Sequence, residues 1–261
     1  MHSLPIDHSI ILRNLFGITP KQNQAVIALA GNPNVGKSTL FNALTGLRQH
    51  TGNWPGKTVD NAQGAFTYKD KSFLLIDLPG TYSILAHTVE EEIARDFICF
   101  GKPNVTLVVL DATSMERNLN LALQVMEITS NIVVCVNLID EAKKQNIIVD
   151  TTLLENELGV PVIATSARNK TGLKELCETL YLVARGKLIT QPKNITYSEE
   201  IENAVNILLP KIEQLNIGCI LNPRWVALRL LDGDKKIISN ICRYLDLQPS
   251  KYYKREVEIT L

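Results

Sequence analysis

The sequence predicts an α/β fold, a mostly parallel sheet flanked by helices, followed by a small all-helical domain. Three observations lead there. Apolar runs of strand length alternate with helix-length stretches from Ala25 to about Gly186. Several of those runs are nearly continuous in apolar residues, which suits strands covered on both faces. Past Tyr197 the strand signal stops and a helical apolar stripe takes over.

In chain order, residues 1–24 carry Pro5, Gly17 and Pro20 with weak periodicity and read as an N-terminal arm. AVIALA (Ala25–Ala30) is the first strand candidate. KSTLFNALT is helix-like until Gly46 stops it. GAFTY (Gly64–Tyr68), FLLID (Phe73–Asp77), VTLVVLD (Val105–Asp111), IVVCVN (Ile132–Asn137) and VPVIATS (Val160–Ser166) are further strands. Helical stretches fall near 88–100, 117–129, 150–158 and 172–185, so that 25–186 reads as one domain. The polar segment 187–197, with Pro192, reads as a linker. Residues 198–250 read as a helical domain, with Ser198 as N-cap and a stripe through Ile201, Val205, Leu208, Ile212 and Leu215. Residues 251–261 read as a tail.

Composition is that of a globular protein: 261 residues, 45% apolar, 21% charged, formal net charge zero. A neutral chain offers no broad basic surface, so no nucleic acid partner is expected. The N-terminus lacks a basic region followed by an apolar core, and no apolar run approaches the ~18–20 residues of a membrane span. A soluble, cytosolic segment is expected. The five cysteines form no C-x-x-C pair and read as reduced thiols. His2, His8, His50 and His87 are scattered, so no metal cluster is expected from them.

GNPNVGKS (Gly31–Ser38) is a full match to the phosphate-loop pattern G-x-x-x-x-G-K-[ST], set between a strand and a helix start. Backbone N–H groups of such a turn converge on one point, where the helix dipole also favours an anion. Gly31, Asn32, Pro33, Asn34, Val35, Gly36, Lys37, Ser38 and Thr39 are therefore the expected cradle of a nucleoside triphosphate. Lys37 would reach the β- and γ-phosphates, and Ser38 would offer its hydroxyl to Mg²⁺.

Four further segments follow in the order a GTPase needs. Asp77-Leu78-Pro79-Gly80 ends a strand, where the Asp77 carboxylate can hold a Mg²⁺ water and the Gly80 N–H can meet the γ-phosphate. Thr58, in the turn-rich GNWPGKTVD, can complete the Mg²⁺ shell only when the γ-phosphate is present, which would make that loop a switch. Asn137 and Asp140 close the strand IVVCVN. The Asp140 carboxylate can accept from guanine N1–H and the exocyclic amine, a donor pair adenine lacks, while Asn137 would tie this loop to the phosphate loop. After Thr165, Ser166 and Ala167 stand where a backbone N–H would meet guanine O6. The expected fold is thus a P-loop GTPase fold.

Together, GNPNVGKSTLFNALTG, GNWPGKTVD, DLPGTYSI and N-x-x-D resemble the cytosolic N-terminal region of the ferrous-iron transport protein B (FeoB) family. RWVALRLLDGD (Arg224–Asp234) looks like that family's helical domain. The resemblance implies GTP and GDP as ligands, Mg²⁺, and a membrane permease in the same polypeptide. It also implies coupling to Fe(II) uptake at the cytoplasmic face of the bacterial inner membrane, with self-association as a further partner class. Two departures stand out. Leu138 occupies the place of the usual base-covering lysine, so imperfect guanine discrimination is expected; Thr81 occupies that of the glutamine that orients water in Ras-like enzymes, so slow intrinsic hydrolysis is expected. The family further implies a K⁺ held by Asn34 and by carbonyls of Gly52 and Trp54, placing Asn34 beside Lys37, Thr58 and Gly80 in the catalytic set. Trp54 reads equally as a hydrophobic anchor of its loop. Two alternatives stay open: a ribosome- or RNA-associated assembly GTPase, and a nucleotide-sensing interaction module.

Overall fold

The structure is a computed structural model that describes residues 8–46, 49–85, 88–215, 218 and 221–244. The chain divides into two compact units, one ending at Ile195 and one starting at Thr196.

The first unit holds seven strands: β1 (Gln24–Gly31), β2 (Gln49–Asn53), β3 (Asp60–Tyr68), β4 (Lys71–Asp77), β5 (Val105–Asp111), β6 (Ile132–Asn137) and β7 (Val162–Ala164). They form one sheet in the order β2-β3-β4-β1-β5-β6-β7. The pairs β4-β1, β1-β5, β5-β6 and β6-β7 are parallel, while β2-β3 and β3-β4 are antiparallel. The apolar runs explain the centre: β1, β5 and β6 are buried along almost their whole length, as strands with helices on both faces must be. One core cluster joins Ile27, Leu29, Leu107, Val109 and Val133 of these strands to Leu40 and Phe41 of α2 (Lys37–Thr45) and to Leu176 and Leu180.

α1 spans His8–Leu15, α3 Val89–Phe100, α4 Met115–Ile128, α5 Ile139–Lys144, α6 Thr151–Leu158 and α7 Leu173–Ala184. α3 starts on a capping box: Thr88 Oγ1 accepts from Glu91 N at 3.2 Å, and Glu91 Oε2 accepts from Thr88 N at 3.3 Å. α2 begins and ends on glycines in the left-handed region, Gly36 at φ 81° and Gly46 at φ 63°.

Several expectations need correcting. The N-terminal arm contains α1 and packs: Leu12, Phe16 and Ile18 are buried, and Arg13 Nε donates to the Lys102 carbonyl at 3.2 Å. β2 lies in a stretch read as loop, because its polar QHTGN has no apolar alternation and is a strand only through pairing with β3. β3 starts at Asp60 rather than Gly64, and β7 keeps only three residues of VPVIATS. Part of the expected linker lies on the first unit, where Gln191 N donates to Gly159 O at 3.0 Å and Lys193 N to Leu158 O at 2.9 Å.

The second unit is helical: α8 (Glu199–Gln214), α9 (Pro223–Leu231) and α10 (Lys235–Tyr244). α9 starts with Asn222 as N-cap and Pro223 at its first position. Arg224 grips Glu202 with two hydrogen bonds of 2.7 Å, tying α9 to α8 and holding the Glu202 carboxyl down at about 2. Val205, Ile212, Trp225, Val226, Leu228, Ile237 and Ile241 belong to its buried apolar set.

Among the described residues no helix is long and apolar enough to cross a membrane. Among the described residues Cys135, Cys177 and Cys242 form no disulfide, and burial pushes the Cys135 thiol up to about 12 and Cys177 to about 11. The tail, His2, His87 and Cys219 lie outside the described residues.

Candidate nucleotide-binding site

The parallel strands β1, β5 and β6 end on one side of the sheet, and every loop named in the sequence leaves from that side or borders it. Gly31 to Gly36 turn from β1 into α2 with Lys37 as its first residue. Two glycines permit the close packing. A Cβ on Gly31 would lie 2.9 Å from the Val109 carbonyl, and one on Gly36 would meet Asn137 Nδ2 at 2.4 Å. Asn34 takes the left-handed region at φ 68° and is exposed, as are Pro33, Ser38 and Thr39. Val35 is buried. Asn32 is buried too, and neither end of its amide has a hydrogen-bond partner among the described residues.

The Lys37 ammonium is ion-paired with Asp77 and also donates to the Leu78 carbonyl at 2.6 Å. Asp77 is the last residue of β4, beside β1 in the sheet, so its carboxylate stands at the start of the phosphate loop's helix. Burial raises the Asp77 carboxyl above its ordinary range, and the Lys37 charge acts the other way. Thr81 N donates to the Gly31 carbonyl at 3.2 Å, and a Cβ on Gly80 would lie 3.5 Å from Pro33. Gly80 is thereby held against the phosphate loop. The Thr81 hydroxyl is buried and accepts from Ser83 N at 3.2 Å, so it is spent on its own turn.

On the base side, the fully buried Asn137 ties three segments together. Its Nδ2 donates to the Val35 carbonyl at 3.0 Å; its Oδ1 accepts from Ala167 N at 3.0 Å and from the Thr165 hydroxyl at 3.1 Å. Leu138 then takes φ 64° as the N-cap of α5, which turns the chain so that Asp140 falls in the first helical turn. Asp140 Oδ2 accepts from Asn169 Nδ2 at 3.0 Å, while Oδ1 is buried and, among the described residues, meets no donor in hydrogen-bonding geometry. The nearby Ser166 hydroxyl nevertheless holds the Asp140 carboxyl below the usual carboxylate range. An ionised carboxylate with a free acceptor suits a donor pair on a base edge. Asn169 and the Thr165 hydroxyl are the site residues that sequence reasoning missed. Asn169 gave a weak signal, three positions beyond Ser166.

The loop joining β2 to β3 is less closely tied to this group. Gly52 pairs with Asn61 inside the hairpin, Trp54 is buried, and Thr58 is exposed. Trp54 N donates to Val59 O at 2.9 Å, and the Trp54 carbonyl accepts from Lys57 N at 3.0 Å. Ser38, Thr58 and Asp77 together offer hydroxyl and carboxylate oxygens, the donor chemistry that a hard cation such as Mg²⁺ takes.

The sequence model of the family described as "Ferrous iron transport protein B" matches residues 25–180, and that of the "FeoB cytosolic helical domain" matches 197–257. The Fe(2+) transporter FeoB of Methanocaldococcus jannaschii is 41% identical over 226 residues, 85% of this chain and 33% of that protein. The cytosolic domain of the T. maritima FeoB iron transporter in a GDP form superimposes with a TM-score of 0.78, at 38% identity over 85% of each chain. Its GMPPNP form gives 0.77 at 37% identity, over 85% of this chain and 86% of that one. The chain spans about a third or less of the length of the curated relatives it matches. The helical-domain match gives no support to a ribosome- or RNA-associated reading. On these matches and on the geometry of its phosphate and base loops, the chain belongs to the ferrous iron transport protein B family and comprises that family's GTPase domain and cytosolic helical domain.

Proposed function

We propose that the chain is the GTP-binding and slowly hydrolysing module of a ferrous-iron transporter, placed at the cytoplasmic face of the membrane and coupled to a permease in the same polypeptide. The observation that carries this is Asn137, whose single amide joins the phosphate loop at Val35 to the base side at Ala167. One nucleotide can therefore be read at both ends by one rigid set of loops.

The N–H groups from Gly31 to Thr39 cradle the phosphates, with Asn32, Pro33 and Val35 shaping the turn. Lys37, now paired with Asp77, turns its ammonium onto the β- and γ-phosphates when they arrive. The Ser38 hydroxyl and Asp77 carboxylate would hold Mg²⁺, and the Thr58 hydroxyl would join them only with the γ-phosphate in place. The Gly80 N–H, fixed beside Pro33, donates to a γ-phosphate oxygen. Asp140 accepts from the guanine edge, and the N–H groups of Ser166 and Ala167 face O6.

The Thr81 hydroxyl, at the position after Gly80, is committed to Ser83 rather than to a water at the γ-phosphate. Asn34, exposed in the phosphate loop, is free to offer its amide oxygen to K⁺. The Gly52 and Trp54 carbonyls complete an all-oxygen donor set, the Trp54 carbonyl either releasing Lys57 N–H or using its second lone pair. Bound cations supply neutralisation of the charge that develops between the β- and γ-phosphates.

Competitive binding with fluorescent GDP, ADP and XDP tests the base assignment. Wild type should prefer GDP over ADP, and Asp140→Asn should move the preference to XDP, because an amide presents a donor where xanthine presents an acceptor. An unchanged preference in the variant would sink the assignment.

A further inference from the structure

Trp54 is 2% exposed although Asn53, Pro55, Gly56, Lys57 and Thr58 around it are all exposed. Its indole sits edge-on to two phenylalanines: Phe97 of α3, with centroids 5.4 Å apart at 63°, and Phe16, at 6.4 Å and 85°. Phe16 and Phe97 meet each other at 5.4 Å and 89°, which closes a triangle of edge-to-face contacts.

Phe16 belongs to the N-terminal segment, and that segment is fastened down. Arg13 Nε donates to the Lys102 carbonyl at 3.2 Å, and Ile18 is fully buried. Gly17, at φ 69°, lies so close to the loop that a Cβ there would stand 3.3 Å from Pro55 Cγ. On the other side, Lys57 Nζ meets Glu92 Oε2 of α3 at 3.1 Å. The loop is braced internally, because Trp54 N donates to Val59 O and Lys57 N to Trp54 O, with Thr58 between them. The grip is also imperfect. Trp54 Nε1 is buried with no hydrogen-bond partner among the described residues, a cost that weakens the seat and makes it one the loop can leave.

We propose that Phe16 is a positioning residue for the Thr58 loop. It holds Trp54 in a seat that leaves Thr58 exposed, and so biases the protein towards the diphosphate over the triphosphate form. The inference rests on reading Thr58 as a Mg²⁺ ligand that needs the γ-phosphate. Phe16 lies in the N-terminal segment, before residue 25 where the family match begins.

The test compares Phe16→Ala and the milder Phe16→Leu with wild type in the 261-residue chain, using fluorescent GDP and GMPPNP with Mg²⁺. The affinity ratio should move towards GMPPNP by about three- to tenfold, the factor carried by one lost edge-to-face pair. The leucine variant should move less in the same direction. In a Trp225→Phe background, the Trp54 emission of the GDP form should shift to the red. If Phe16→Ala fails to fold by far-UV circular dichroism, Phe16→Leu decides alone. A folded variant with an unchanged ratio, or one shifted towards GDP, overturns the proposal. Thr58→Ala separates the two layers. Weaker GMPPNP binding relative to GDP in Thr58→Ala, with no effect of the Phe16 variants, removes only the latch. An unaffected Thr58→Ala removes the Thr58 reading and the latch with it.

Discussion

Replacing Asn137 with alanine should loosen the phosphate loop and the base-side loops together. The side chain is fully buried and makes three hydrogen bonds, to Val35 O, Ala167 N and the Thr165 hydroxyl, at 3.0–3.1 Å. At about 1 kcal/mol net for each bond, plus part of the penalty for a buried N–H left unpaired, the loss comes to about 3–4 kcal/mol. For a domain of this size each kcal/mol lowers the melting midpoint by about 2–4 °C, so a fall of about 6–16 °C is expected. Asn137→Asp should behave almost as badly. It keeps an oxygen for Ala167 N but sets a second acceptor against the Val35 carbonyl. Differential scanning fluorimetry without nucleotide, then with saturating GDP, reads both effects. The GDP-induced rise in midpoint should also shrink, because the cradle and the base loop no longer hold one geometry. A midpoint within about 2 °C of wild type would refute the claim that this amide ties the site together.

Potassium should accelerate single-turnover GTP hydrolysis by about ten- to hundredfold over equimolar sodium, each tenfold being about 1.4 kcal/mol of barrier. Asn34→Ala should erase that difference while GDP affinity stays nearly intact; equal rates in the two salts would leave Asn34 a plain loop residue. The helical unit should show an acid window. Arg224 holds the Glu202 carboxyl at about 2 against an ordinary 4.5, so its contribution is complete above 4.5 and is lost as the pH falls towards 2. The helical unit's midpoint should therefore fall across that window in wild type, and a fall of equal size in Glu202→Gln would show that the pair plays no part.

How much of this was legible in the sequence varied with the physics that sets each element. β5 and β6 appear at the residues expected, because a strand buried on both faces needs an uninterrupted apolar run. The phosphate loop was equally plain, since few backbones other than G-x-x-x-x-G-K-S satisfy its geometry. β2 was not, for its stability comes from backbone pairing with β3 rather than from any side-chain pattern. α1 was missed for a related reason. It is short, and what fixes it is long-range: Arg13 reaching carbonyls after α3, and Phe16 meeting Trp54. Trp54 itself could be read as a cation ligand or an anchor. Burial of its ring establishes the anchor, while its carbonyl keeps the ligand role as a proposal. At the proposed base site, Asp140 was foreseeable from its spacing to Asn137, but the support of Asn169 depended on how two loops fold towards each other.

The central claim is that one site binds and hydrolyses GTP through the phosphate loop and reads guanine through Asp140. Its most direct test is phosphate release from GTP and from ATP, with Mg²⁺, by wild type and Lys37→Ala. Wild type should release phosphate slowly from GTP and far more slowly from ATP, and Lys37→Ala should release almost none from either, since the ammonium that meets the β- and γ-phosphates is gone. Equal turnover of both nucleotides, or undiminished turnover in Lys37→Ala, would contradict the account.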